Sequence, residues 1–198
     1  MIWKSTAGLA LVATIAAGCA GQREVRAPPS SHSDASEYMP LAVGNTWIYR
    51  RGHLGAEAEE RVEIVREEGG FFVDNRGNAL QIDAFGLRDP KRYLLRHPIE
   101  PGREWTNVVS VSSMERYKIL DAGSSCEVPA GTFQRCVRVE SKNRIDSDRT
   151  LVNEMTFAPG VGIVNISLYL DDKGRRIPQG ILALKSFTVK PMPANAQR

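Results

Sequence analysis

Residues 70–82 read GFFVDNRGNALQI, and this stretch decides the fold class of the chain. Two short apolar runs, 71–73 and 79–82, flank a cluster of Asp, Asn, Arg and Gly. Gly and Asn tolerate the positive φ angles that a tight turn requires. Two apolar runs joined by such a turn predict a β-hairpin.

Similar apolar runs recur about every ten residues over the following chain, and no long stripe of helical periodicity accompanies them. This spacing predicts a mainly β fold, an antiparallel meander that forms a single open barrel or sandwich-like domain. A helix over residues 54–60, where Glu and Ala cluster, is an open alternative. The other predicted strands cover residues 46–49, 61–66, 91–95, 105–111, 115–120, 135–140, 151–157, 163–170 and 181–189.

One eight-residue pattern occurs twice, as PLAVGNTW at 40–47 and as PIEPGREW at 98–105. Pro restricts the entry to each segment, Gly permits a tight turn, and Trp brings a large apolar surface to the start of a strand. The pattern favours two similar turns that each begin a strand. The alternative is that Trp47 and Trp105 line one apolar pocket.

The charge balance is close to neutral, with 26 Lys and Arg against 23 Asp and Glu. A nucleic-acid partner is not expected, because such a protein usually presents a strongly basic face. A content of 42% hydrophobic residues also argues against a wholly disordered chain.

The N-terminus has the features of an export signal. Lys4 precedes an apolar run over residues 7–17, whose helical length of about 16 Å is too short to span a bilayer. The run ends in Gly18-Cys19, which resembles the lipobox of bacterial lipoproteins, so Cys19 is the expected site of lipid attachment by acyl chains such as palmitate. An ordinary signal peptide with an incidental Cys19 is the alternative. Ala20, rather than Asp, after the Cys favours the outer membrane by the same resemblance.

Composition divides the chain into four parts. Residues 1–18 are the predicted signal peptide, and residues 19–36 carry the lipidated Cys and a flexible tether rich in Ser and Pro. Residues 37–190 are the predicted β-domain, and residues 191–198 are a predicted disordered tail.

Three motifs of the domain resemble a known family. Tyr38-x-Pro-Leu-x-x-Gly-x-x-Trp47, the VPAGTF of residues 128–133 and the APGVG of residues 158–162 are similar to those of an uncharacterised family of small exported, often lipidated, bacterial proteins with a β-rich domain. The resemblance implies a β fold at the cell envelope of a Gram-negative bacterium. It implies no activity and no catalytic residue.

Cys126 and Cys136 flank Gly131, and a hairpin centred there places them opposite each other. Cys136, Arg138 and Glu140 then share the polar face of a strand. In an oxidising compartment we expect a disulfide between the two, which would stabilise the fold by roughly 2–3 kcal/mol. Two free thiols out of register are the alternative, and the pair lacks the further ligands of a zinc site.

Catalytic motifs are missing from the sequence, so we expect no enzyme, no cofactor and no metal. His53 and His97 are the histidines of the domain, and neither belongs to a recognisable triad. The acidic pairs at Asp146 and Asp171 are typical of hairpin turns.

Two functions are therefore expected. The first is a lipid-anchored interaction or scaffold module at the periplasmic face of the outer membrane, with an envelope protein as possible partner. The alternative is a carrier or sensor of an apolar ligand. Aromatic side chains would line its site, namely Trp47, Trp105, Phe71 and Phe157.

Overall fold

The computed structural model describes residues 34–53 and 56–190. The predicted signal peptide, Cys19 and the predicted tail lie outside the described residues. The elements are α1 (Ala35–Tyr38), β1 (Thr46–His53), β2 (Ala56–Glu68), β3 (Phe71–Asp74), β4 (Ala79–Asp83), β5 (Gly86–Arg88), β6 (Tyr93–Arg96), β7 (Glu104–Ser110), β8 (Ser113–Val128), β9 (Gly131–Arg144), β10 (Arg149–Ala158), β11 (Gly162–Asp172) and β12 (Arg175–Thr188).

The described strands form one antiparallel sheet of twelve strands, in the order β6-β5-β4-β3-β2-β1-β12-β11-β10-β9-β8-β7. Neighbours in the sheet are also neighbours in sequence, apart from β1, which pairs with β12. The sheet curls into a nearly closed barrel that leaves β6 and β7 as its two edges. This confirms the prediction of an antiparallel meander with very little helix.

The two ends of the barrel differ in their connections. Because successive strands run in opposite directions, each odd-numbered strand turns into the next even-numbered strand at the same end. We call this the open end; it carries, among others, the β1–β2, β7–β8, β9–β10 and β11–β12 hairpins. The opposite end is called the capped end.

The chain before β1 covers the capped end. Ala35, Tyr38 and Met39 are buried there, and the Glu37 carbonyl accepts a hydrogen bond from the Gly160 N–H (2.7 Å) in the β10–β11 turn. The packed chain thus includes Ala35, whereas the composition placed the start of the domain at residue 37. The short helix α1 explains the difference, because it turns two of its side chains into the core.

The helix alternative for residues 54–60 is wrong for the described part of that segment. Strand β2 begins at Ala56, and its residues 56–63 pair with β1, with Arg50 opposite Glu59. The helix propensity of Glu and Ala amounts to a few tenths of a kcal/mol per residue, so backbone pairing with a neighbouring strand overrides it.

The repeated Pro-to-Trp pattern forms the same turn twice. Gly44 and Gly102 both have positive φ, at 92° and 86°. The Gly44 N–H donates to the Ile64 carbonyl and the Gly102 N–H to the Ile119 carbonyl, each at 2.8 Å. Each isoleucine N–H donates in return to the residue after the glycine (2.9 Å). Both turns therefore fix the start of a strand, as the shared spacing predicts.

Candidate functional site

The barrel interior contains a cavity of about 550 Å³ that is partly open to solvent. This volume lies in the range of small-molecule binding sites. Its walls are built from alternate residues of several strands, because successive side chains of a strand point to opposite faces of the sheet. The apolar lining consists of Met39, Trp47, Val62, Leu80, Leu94, Met155, Ile163, Ile166 and Leu182.

Two aromatic side chains of β1 are held rigidly on the cavity wall. The Trp47 indole N–H donates to the Val161 carbonyl (2.7 Å), and the Tyr49 hydroxyl donates to the Ile163 carbonyl (2.8 Å). Burial raises the pKa of Tyr49 well above its usual range. Because the polar atoms of both rings are engaged, the rings expose mainly apolar surface to the cavity.

A second cavity of about 460 Å³ lies towards the open end, next to the β1–β2 hairpin. Glu60, Arg76, Ile166 and Leu182 line both cavities. Arg76 forms an ion pair with Glu60, whose side chain is mostly buried. The interior space thus continues from an apolar inner region to a charged region near the open end.

Polar and charged side chains form the smaller part of the cavity wall and lie mainly towards the open end. The Arg92 guanidinium contacts carboxylate oxygens of Asp89 (2.8 Å) and Glu115 (3.4 Å). Asn153 projects from β10, and its buried Oδ1 accepts no hydrogen bond from the protein. A buried carbonyl oxygen without a donor is costly, so this atom is a natural acceptor for a donor group of a bound molecule or water.

Side chains close the seam between the two edge strands. The Asn107 amide of β7 accepts a hydrogen bond from the Tyr93 N–H of β6 (3.1 Å) and donates one to the Tyr93 carbonyl (3.1 Å). The Trp105 indole N–H also donates to that carbonyl (2.8 Å). The amide of Asn107 therefore replaces the backbone partner that Tyr93 would have in a closed sheet.

Trp105 and Tyr117 stack beside this seam, with ring centroids 5.3 Å apart. The Tyr117 hydroxyl donates to Glu115 (2.8 Å), and Glu115 also contacts Arg92 of the β5–β6 turn. Burial, followed by the nearby Glu115 carboxylate, raises the pKa of Tyr117. The seam is thus supported by a packed aromatic pair and a charged network.

The four aromatic residues proposed from the sequence lie in different places. Trp47 lines the cavity. Trp105 packs at the seam, and Phe157 is fully buried in the core without lining the cavity. Phe71 is half-buried on β3, where the Arg88 guanidinium lies 5.8 Å from its ring centre.

Most of the lining was not identified from the sequence. Val62, Met155, Ile166 and Leu182 are ordinary aliphatic strand residues with no distinctive motif. Alternation along each strand could have assigned them to the inner face, but it could not have shown that the space between them is open. Tyr49 could have been predicted as a lining residue, because it lies two residues after Trp47 on the same face of the strand.

A disulfide links Cys126 and Cys136, with Cα atoms 6.0 Å apart, and Cys136 is buried. The hairpin turns at residues 129–130, not at Gly131, and Cys126 is paired with Phe133 in the backbone register. Cys136 is paired with Ser124. Register shifts in β8 bring the two cysteines together diagonally, which a hairpin without bulges would not do.

The other titratable residues considered from the sequence have structural surroundings. Asp146 accepts hydrogen bonds from the N–H groups of Asp148 and Arg149, and Asp171 accepts one from the N–H of Gly174. These are turn contacts, as expected. His97 lies 3.7 Å from an Asp34 carboxylate oxygen.

No helix among the described residues has both the length and the apolar character to cross a membrane.

No protein-family model matches the chain, and no curated protein matches it. Among solved structures, the chain is similar to a "putative lipoprotein" from Parabacteroides distasonis. The TM-score is 0.41 at 13% sequence identity, and the match covers 76% of this chain and 98% of that chain.

Proposed function

We propose that the barrel binds an apolar ligand in its interior cavity, as a domain anchored to the cell envelope through a lipid on Cys19. The observation that carries the proposal is the cavity of about 550 Å³ with a mainly aliphatic and aromatic lining. A well-packed core leaves few voids larger than a water molecule, so a space of this size with an apolar wall favours ligand binding.

The polar groups of the wall restrict the kind of ligand. Two ion pairs on the wall join Arg76 with Glu60 and Arg92 with Asp89. The charged side chains that line the cavity lie towards the open end, namely Glu60, Asp74, Arg76, Asp89, Lys91 and Arg92. Such a site suits a molecule with a long apolar part and a single polar group that donates a hydrogen bond to Asn153 Oδ1. A fatty alcohol or a protonated fatty acid has this chemistry.

The location of the protein is part of the same proposal. The apolar run of residues 7–17 followed by Gly18-Cys19 supports export and lipidation, and Ala20 supports retention at the outer membrane. The expected periplasmic orientation would bring the cavity close to a source of apolar molecules. No catalytic residue is assigned, and an envelope protein as docking partner is an expectation that does not depend on the cavity.

Binding can be measured on residues 32–198, which form one compact unit. We expect saturable binding of the neutral fluorescent probe N-phenyl-1-naphthylamine, with one probe per chain in native mass spectrometry and displacement by a C16 fatty alcohol. Ile166→Trp, which fills the space common to both cavities, should lower affinity at least tenfold.

Val65→Trp is the matched control, because Val65 is exposed and does not line the cavity. Circular dichroism establishes that each variant is folded. A folded wild-type domain that remains empty in the presence of the probe, or equal affinities of wild type and Ile166→Trp, would refute the proposal.

A further inference from the structure

The open end carries four exposed apolar side chains close together, which we call the apolar tip: Val108, Val111, Met114 and Ile145. Their exposed fractions are 68%, 109%, 58% and 54%. Val111 lies at the very end of the β7–β8 hairpin. Contiguous apolar surface of this kind usually marks a contact site, because single exposed apolar residues are common but clusters are not.

The strand register explains why these residues lie together. Val108 is directly opposite Met114 in the β7–β8 hairpin. Glu115 is opposite Asn143, so Ile145, the first residue after β9, lies beside the start of β8 at the same end of the barrel. Trp105 points into the barrel, and alternation therefore places Val108 on the outside.

Basic side chains border the apolar tip on the outer face. Arg116 is directly opposite Lys142, and like charges in that position are unfavourable without a shared counterion. Arg144 lies next to Ile145. Lys142 contacts Glu140 (2.7 Å), a nearly buried carboxylate that Arg176 also faces (3.7 Å).

The other acidic groups near this border are paired with other cations. Glu104 contacts Lys118 (2.8 Å), Asp146 contacts Arg149 (2.6 Å) and Asp148 contacts Lys173 (3.6 Å). The face beside the tip therefore carries an excess of positive charge from Arg116 and Arg144. Exposed apolar side chains surrounded by arginine match the interface of an anionic bilayer, where apolar groups enter the acyl boundary and cations meet the phosphates.

We propose that the apolar tip docks on an anionic lipid surface, with Arg116 and Arg144 facing lipid phosphates. This contact is separate from lipidation of Cys19 and from ligand binding. It directs the open end, where the second cavity lies, towards the bilayer. An apolar molecule could then pass between the bilayer and the barrel with little exposure to water.

The chain before the domain is long enough for this orientation. Fifteen residues lead from Cys19 to Asp34 at the capped end, with an extended length of about 50 Å. The longest strand, β8, has 16 residues and a length of about 53 Å. The strands of a barrel tilt by about 35–45° from its axis, so β8 spans only about 40 Å between the two ends. This height is less than the reach of the chain from Cys19, so an anchored Cys19 is compatible with an open end that touches the membrane.

The test introduces a tryptophan into the apolar tip of the lipidated chain, which begins at Cys19. Val111→Trp protein is reconstituted in vesicles of phosphatidylglycerol and phosphatidylcholine, with brominated acyl chains as quenchers. We expect a blue-shifted emission and at least threefold more quenching than in Val65→Trp. Trp47 and Trp105 contribute a low background, because both rings are buried. Trp3 belongs to the predicted signal peptide and is not part of the lipidated chain, which begins at Cys19.

Two comparisons test the charged part of the contact. Replacing Arg116 or Arg144 by Gln should lower the ratio of docked to free tips by about fivefold each, since one cation near an anionic surface contributes about 1 kcal/mol. Vesicles of phosphatidylcholine alone remove the contribution of both arginines and should therefore lower the ratio by about 25-fold.

Three results would overturn the proposal. The first is equal quenching at positions 111 and 65, and the second is quenching that does not depend on anionic lipid. The third is concentration-dependent dimerisation in sedimentation equilibrium that Val111→Asp abolishes, since the tip would then be an interface between two copies of the chain. None of these measurements uses a cavity ligand, so their outcome is independent of the proposed function.

Discussion

Replacing Asn107 by Leu should open the seam of the barrel. The substitution preserves the approximate volume of the side chain but removes both hydrogen bonds to Tyr93. The Tyr93 carbonyl keeps the bond from the Trp105 indole, whereas its N–H loses its partner. Tyr93 therefore loses the acceptor of its N–H group and one of the two donors to its carbonyl oxygen.

The expected loss in the free energy of unfolding follows from these contacts. Each hydrogen bond contributes about 1 kcal/mol net, and leaving the Tyr93 N–H without a partner adds about 1 kcal/mol or more. We expect the free energy of unfolding to fall by about 3 kcal/mol, which lowers the urea midpoint by about 1–2 M for a domain of this size.

The control is Asn165→Leu. The Asn165 amide donates one hydrogen bond to the Ser167 hydroxyl (3.0 Å), and both side chains are half-buried. Its loss should cost about 1 kcal/mol or less. Urea unfolding followed by circular dichroism gives both values under the same conditions.

Hydrogen exchange at the Tyr93 amide separates opening of the seam from general destabilisation. In Asn107→Leu this amide should exchange at least tenfold faster under native conditions, while the Ile64 amide, bonded to the Asn45 carbonyl in the first Pro-to-Trp turn, should change less. A loss of stability below about 0.5 kcal/mol, or an unchanged Tyr93 exchange rate, would refute the assignment of Asn107 as the group that closes the barrel.

Three further predictions concern the core and the disulfide. Gly162→Ala should destabilise the fold by about 2 kcal/mol, because Gly162 has a φ of 113° and a new Cβ would lie 3.0 Å from Met39 Sδ. Gly160→Ala, with a φ of 69° and no atom within 4 Å, should cost about half as much in the same urea assay. Burial raises the pKa of Tyr49 in the folded state, so the contribution of this hydroxyl to the free energy of unfolding is complete below the unfolded pKa of about 10 and is lost as the pH rises above that value. Tyr49→Phe should therefore flatten the alkaline loss of stability. Identical stability profiles of wild type and Tyr49→Phe against pH would contradict this prediction. Replacing Cys126 and Cys136 by Ser should lower stability by roughly 2–3 kcal/mol, and alkylation of two thiols in unreduced wild type, measured by intact mass, would exclude the disulfide in solution.

Local features of the fold were predictable because they depend on neighbouring residues. The hairpin of residues 70–82 needs only two apolar runs and a turn that accepts positive φ. The two Pro-to-Trp segments each needed a glycine at the same position, and both glycines adopt the same left-handed conformation. The polar face shared by Cys136, Arg138 and Glu140 follows from alternation alone.

The candidate site was only partly predictable. Trp47 could be assigned to an apolar lining, whereas Phe157 is fully buried elsewhere in the core. An aromatic residue on an inner face can either fill space or border it, and the choice depends on side chains from strands far apart in sequence. Aliphatic residues such as Ile166 carry no signal that separates these two roles.

The amino-acid sequence by itself determined the strand meander, the turns that begin β1 and β7, and the face on which the cysteines lie. Each depends on the period of a strand or the conformational freedom of one residue. Only the tertiary structure decided that β1 pairs with β12, that Asn107 joins β7 to β6, and that a cavity remains inside. These features depend on how the twist and tilt of twelve strands add up around the barrel, which no local stretch of the chain contains.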